Sequence, residues 1–300
     1  MSLPTRGTVA LLSLLPTPLT VAVADRIARL AWWSARRREA GRTQLSLALP
    51  ELSDQQRDAL LRKSCGQLGR TVAETMIQLQ RDRKTGLEDY FEYEEGALEQ
   101  LQAVRDQGAV LVQAHLGAFE IFGAAAVQAG LRPAFTMRMP TNYYVGQQLL
   151  KSREGWGINL IPRQGAVRRM LKHMKDGGAV ILATDQNAQR APIFVPWFGR
   201  LAATERAAAA IALRTGAPVV VCWCLRTEKF GKYQVGASTV RAAAPKQQAT
   251  DEAVLELTSQ IHEQLEAVIR RHPEQYLWIH DRYRTRPSDR PGSAEATPTP

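Results

Sequence analysis

Residues 114–123 read AHLGAFEIFG, with His115 after an apolar run, Glu120 five positions on and Gly117 between them. Imidazole has the proton affinity for general-base work near neutrality, and a carboxylate that takes the hydrogen of its second nitrogen fixes the tautomer and stabilises the imidazolium. Within one helix these two residues would point about 140° apart, at roughly 100° per residue. Placing His115 before the helix, with Gly117 allowing the turn, removes that objection. No serine or cysteine adjoins the pair. A nucleophile would therefore arrive with the substrate, as in acyl transfer to a bound alcohol and unlike a covalent hydrolase. Two residues alone also fit a buried histidine beside an exposed glutamate, so the surroundings decide.

A second polar pair, Asp185 and Gln186, stands just past a predicted strand and ahead of an apolar and aromatic patch from Ile193 to Phe198. Asp185 either positions a substrate group or caps a turn. His173, His262 and His272 fall on charge-rich helical stretches and read as surface residues, and His280 reads as structural. Cys65, Cys222 and Cys224 form no CxxC pair and have no histidine at ligand spacing, so the expectation is reduced thiols, no disulfide and no metal site.

Positioning such groups requires a layered fold. Short apolar runs at 109–114, 132–138, 158–161, 179–184 and 218–225 alternate with helical stretches near 118–129, 141–153, 164–176 and 204–214. This rhythm predicts an α/β fold whose central, mostly parallel sheet is flanked by helices. His115 then falls at the carboxyl end of a strand, where open α/β sheets gather their reactive groups. Ahead of the sheet, one long helix is predicted over 52–80 with Ser53 as N-cap, and a second over 94–106 ending at Gly108. A strand pair around 231–240 and a helix over 251–271 follow. The last thirteen residues, rich in Pro, Ser and Thr, read as a mobile tail.

The N-terminal segment has a different character. Thr8 to Ala24 carries no charge over 17 residues, short of the roughly 20 that a spanning helix needs, and Pro16 and Pro18 interrupt it. No basic region precedes it as a secretory signal would require. Ile27, Leu30 and Ala31 come next, then Trp32 and Trp33, then Arg36, Arg37, Arg38 and Arg42, an order that predicts a helical segment associated with a membrane surface. The divisions expected are 1–44 for this segment, 45–287 for the catalytic domain and 288–300 for the tail. The 300-residue chain carries a net charge of +10, which points to anionic partners, although 31 Arg against 8 Lys also fits simple base composition.

Taken together, His115 with Glu120, Asp185 with FVPWFGRLAAT, and the closing PEQYLWIHDRYRTRP resemble the late acyltransferases of lipid A biosynthesis, the lauroyl/myristoyl transferase family, in order and over roughly residues 8–290. The resemblance implies His115 and Glu120 as catalytic dyad, and Arg138, Arg153 and Arg163 as handles for anionic substrate groups beside Asp185 and Gln186. It implies no cofactor, an acyl carrier protein or acyl-CoA thioester as donor, a glycolipid acceptor, and work at the cytoplasmic face of the inner membrane rather than on nucleic acid. Ser46 and the charges of Glu205 and Arg206 depart from the family pattern and loosen any transfer of acceptor specificity. A lysophospholipid or other glycolipid acceptor, a thioesterase built on the same dyad, and a binder that keeps only the scaffold are the competing readings.

Overall fold

The computed structural model describes residues 16–81, 89–137, 147 and 153–287. Four helices come first: α1 (Thr17–Ala28), which runs through a 3₁₀ turn (Arg29–Trp33) into α2 (Ala35–Ala48), then α3 (Asp54–Cys65) and α4 (Gln67–Arg81). The layered part follows as β1 (Phe91–Tyr93), α5 (Ala97–Ala103), β2 (Val110–Gln113), α6 (Phe122–Gln128), β3 (Pro133–Met137), β4 (Asn159–Pro162), α7 (Ala166–Lys175) and β5 (Ala179–Ala183). The hairpin β6 (Ile193–Trp197) and β7 (Arg200–Thr204), α8 (Ala207–Thr215), β8 (Val219–Arg226), β9 (Tyr233–Arg241) and α9 (Asp251–Arg271) complete it.

Seven strands form one sheet in the order β1-β9-β8-β2-β5-β3-β4, parallel throughout except where β8 meets β9. Covered on both faces, the central strands are buried at every position of β2, as parallel sheets require. Alternation divides the core: Val110 and Val112 pack on the side of α7, α8 and α9, while Leu111 joins the cluster that includes residues of α5 and α6. The helix α9 lays Val254, Leu257, Ile261, Leu265 and Val268 against the sheet at helical spacing. Thr250 caps it, and Asp251 and Arg271 complement its dipole at the two ends.

Several sequence expectations change here. The long helix over 52–80 is two helices that break at Gly66, because α1 crosses the break so closely that a Cβ there would lie 2.0 Å from Oδ1 of Asp25. Asp25 in turn accepts from Arg29 at 2.6 Å and Arg70 at 2.7 Å, which locks α1 onto α4. Ser53 does cap α3, in a reciprocal box with Gln56. The strand pair around 231–240 is a single strand, β9, paired antiparallel with β8, and the patch after Ile193 is a hairpin; periodicity marks a strand but does not say which strand it pairs with. His262 is buried rather than on the surface: α9 turns it inward, where its Nδ1 meets the carbonyl of Pro196 at 3.0 Å. The predicted helix at 141–153 lies almost wholly outside the described residues, and Arg138 and the tail from 288 lie outside them. Among the described residues no helix is long and apolar enough to cross a membrane.

Candidate active site

Strands β2 and β5 are parallel neighbours in register, with Gln113 opposite Ala183. Two residues beyond each of these stand His115 and Asp185. The register therefore brings them together: His115 Nδ1 lies 2.8 Å from Asp185 Oδ1, and the His115 amide donates to Oδ2 at 2.9 Å. Asp185 is buried, and the imidazole side chain is about a fifth exposed, at 19%. The buried Tyr276 stands close to the same carboxylate, and Arg282 adds positive potential. Burial alone would raise Asp185, but the charge and hydrogen bonds of His115 outweigh it and bring the carboxyl down to about 2. Burial likewise opposes protonation of His115, and the Asp185 carboxylate overrides it, so the imidazole sits above the usual histidine value.

This geometry corrects the expected partnership. Asp185, not Glu120, holds the second ring nitrogen of His115. Glu120 lies on the turn preceding α6, which begins only at Phe122, and its carboxylate pairs with Arg153. Arg153 is no solvated surface charge: only 4% exposed, it stacks over Phe135 at 5.4 Å, and burial lowers its pKa to about 10. Arg163 stays exposed on the rim of the same cleft.

The closing segment acts on the site through backbone contacts. The carbonyl of His115 accepts from the Leu277 amide at 3.1 Å, and the Gly117 amide donates to Gln275 at 2.9 Å. Gly117 has φ +60, and a Cβ there would lie 2.2 Å from the Cys224 carbonyl, so only glycine lets the chain leave the sheet this tightly. Fully buried Arg282 donates to the Gln186 carbonyl at 3.1 Å and to Thr204 Oγ1 at 2.6 Å, linking the 185–187 loop to the hairpin. Thr285 and Asn187 exchange two hydrogen bonds, of 3.0 and 3.1 Å, one residue further along.

In front of His115 lies a cleft of about 500 Å³. Phe119, Phe135, Val167, Met170 and Ile181 supply its apolar lining, and Gln186 places its amide nitrogen 3.1 Å from His115 Nε2. With Nδ1–H donated to Asp185, Nε2 carries the lone pair, and this amide donates into it. Two cleft residues escaped the sequence reading, because a Gln or Thr closing a strand is unremarkable there. The buried Gln113 Oε1 and Thr184 Oγ1 have no hydrogen-bond partner among the described residues, and both residues line the cleft beside His115. The cleft lining among the described residues contains no serine or cysteine, and no three His, Cys, Asp or Glu side chains converge as a metal site would require.

A carboxylate-oriented imidazole at the carboxyl edge of a parallel sheet, facing an apolar cleft, has the geometry that general-base chemistry on a substrate-borne nucleophile requires. Sequence comparison agrees with that class. Residues 6–285 match the bacterial lipid A biosynthesis acyltransferase family, and the chain belongs to it as an acyltransferase. It is similar to the lipid A biosynthesis palmitoleoyltransferase of Escherichia coli (strain K12), 26% identical over 281 residues covering 91% of this chain and 87% of that protein. It is also similar to the lipid A biosynthesis lauroyltransferase of the same organism, 27% identical over 298 residues with 95% and 92% covered. A lipid A biosynthesis acyltransferase of Shigella flexneri matches at 26% over 281 residues.

Proposed function

We propose that the chain moves a fatty acyl group from an acyl carrier protein thioester to a hydroxyl of a lipid A precursor, at the cytoplasmic face of the inner membrane. The observation that carries this reading is the His115–Asp185 pair, whose open Nε2 faces an apolar cleft. The acceptor hydroxyl displaces the Gln186 amide and gives its proton to Nε2 as its oxygen bonds to the thioester carbonyl carbon. The C–S bond then breaks and the leaving thiolate takes the proton from the imidazolium. Asp185 stabilises that imidazolium, and the Phe119 and Phe135 side of the cleft receives the alkyl chain. Glu120 acts by holding Arg153, whose guanidinium forms part of the wall.

Attachment to the membrane fits the surface. Six of the ten large apolar side chains that are exposed among the described residues lie on α1, the 3₁₀ turn or the adjoining α4: Leu19, Ile27, Leu30, Trp33, Leu68 and Val72. Trp32 instead packs under Arg62, 4.3 Å from its ring centre, so of the two adjacent indoles Trp33 is the exposed one.

Lipid mass spectrometry of cells with and without the protein tests the assignment, since one mass difference identifies acyl group and acceptor together. Purified His115→Ala should lose transfer. Transfer at wild-type level by that variant, or release of free fatty acid with no acylated acceptor, would overturn it.

A further inference from the structure

The 185–187 loop has a second side. Gln186 faces the cleft, whereas Asn187 belongs to a separate open hollow of about 240 Å³ whose walls include Arg36, Arg37, His280, Asp281 and Arg284. Asn187 is fixed between the two, its amide donating to His280 Nε2 at 3.0 Å. The hollow gathers three guanidiniums against one carboxylate. That carboxylate, Asp281, pairs with Arg36 at 3.5 Å, while Arg37 and Arg284 have neither an ion pair nor a hydrogen bond among the described residues. Arg36 and Arg37 also stand in the first turn of α2, where positive charge opposes the helix dipole, so helix stability does not explain them.

We infer that this hollow binds a phosphate monoester carried by the acceptor lipid. Its charge excess of about two matches the roughly −1.5 to −2 of a phosphate monoester at neutral pH, and guanidinium forks suit phosphate oxygens. Its volume falls below the roughly 300–1,000 Å³ of sites that enclose a whole small molecule. It takes a headgroup substituent rather than a lipid. The position favours a lipid-borne phosphate: Trp33, 78% exposed, immediately precedes Ser34 at the edge of the hollow, and the loop that walls it also touches the reactive nitrogen of His115. A molecule with its phosphate in the hollow would be anchored beside the base, which lowers the entropic cost of presenting a hydroxyl.

This inference rests on the acyltransferase reading for its purpose but not for its first test. Full-length protein is titrated with phosphatidylcholine vesicles carrying phosphatidic acid, whose headgroup is a bare phosphate monoester, or phosphatidylglycerol, a diester, at matched surface potential. Wild type should prefer the monoester about tenfold, the order expected of charge-assisted hydrogen bonds, and Arg37→Ala and Arg284→Ala should each erase most of that preference. Arg214→Ala, an equal loss of charge on α8, should leave it intact. No preference in wild type, or equal weakening toward both lipids, overturns the site. In turnover assays the same two variants should raise the acceptor KM about tenfold and leave the donor KM alone. A rise in donor KM instead would assign the hollow to the donor and overturn the acceptor claim. Absence of turnover in wild type would count against the acyltransferase reading, with the vesicle result still deciding the hollow.

Discussion

His115 and Asp185 occupy equivalent places on adjacent parallel strands, each two residues past the register pair Gln113–Ala183, and the side chains close the gap at 2.8 Å. The dyad is thus a property of sheet register, and it predicts how the pair fails. Asp185→Asn keeps the shape and loses the charge. It should lower kcat by a factor on the order of 10² to 10⁴. His115 works as a base only when neutral, and Asp185 raises its pKa, so the acid limb of the pH–rate profile should lie above the usual histidine range in wild type and move to lower pH in the variant. An unshifted limb in Asp185→Asn would remove Asp185 from the base.

The Glu120–Arg153 pair makes a separate prediction, because one partner is buried and the other only partly so. Glu120→Gln should destabilise the protein by roughly 3 kcal/mol, since it removes a counter-charge from a buried guanidinium. Replacing both, as Glu120→Gln with Arg153→Met, should return most of the stability. Chemical denaturation of the single and double variants measures this. Activity in the double variant then tells whether the glutamate's charge serves the wall or the reaction: recovery to near wild type marks it as a positioning residue, and continued loss with stability restored places it in the chemistry.

The strands themselves, the place of His115 at the end of one of them and the N-cap at Ser53 were legible because each depends on local pattern: buried parallel strands read as apolar runs, and a cap needs only its own turn. Asp185 was legible as a polar residue ending a strand, but its partner was not. Which two strand ends touch depends on the order in the sheet, and β5 comes next to β2 only after β3 and β4 have been placed outside it. Glu120 drew attention through proximity in sequence, while Arg153, 33 positions away from it, was the residue that needed it. The PEQYLW segment was visible as a motif, yet its task of clamping the backbone at His115 and Gly117 depends on contacts about 160 residues apart that the motif itself does not carry.

The apolar face of the N-terminal helices predicts how the protein meets lipid. Ile27, Leu30 and Trp33 are 58%, 61% and 78% exposed. Changing all three to serine should weaken binding to neutral vesicles by at least about a hundredfold, given roughly 1.5–3 kcal/mol for each large apolar side chain buried. High salt should extract wild type only in part, since insertion of apolar groups is not screened. Sedimentation with vesicles is the measurement, and unchanged co-sedimentation of the triple variant would exclude this face.

His262 predicts the acid stability of the fold. It is 1% exposed, its Nδ1–H donates to the Pro196 carbonyl and its ring meets Trp197 edge-on at 4.8 Å. Burial, aided by the charge of Arg282, pushes its pKa down to about 4 from an ordinary value of 6.5. Between those two values the unfolded chain binds a proton that the folded protein refuses. Stability from this residue is therefore complete above pH 6.5 and declines as pH falls toward 4, by a total on the order of 3 kcal/mol. His262→Gln keeps a neutral donor for Pro196 and cannot titrate. Measured by urea denaturation at pH 7.5 and again near pH 4.5, wild type should lose more stability over the interval than the variant does, even though the variant starts lower. Equal losses would show that His262 is not the residue that makes the folded state sensitive to acid.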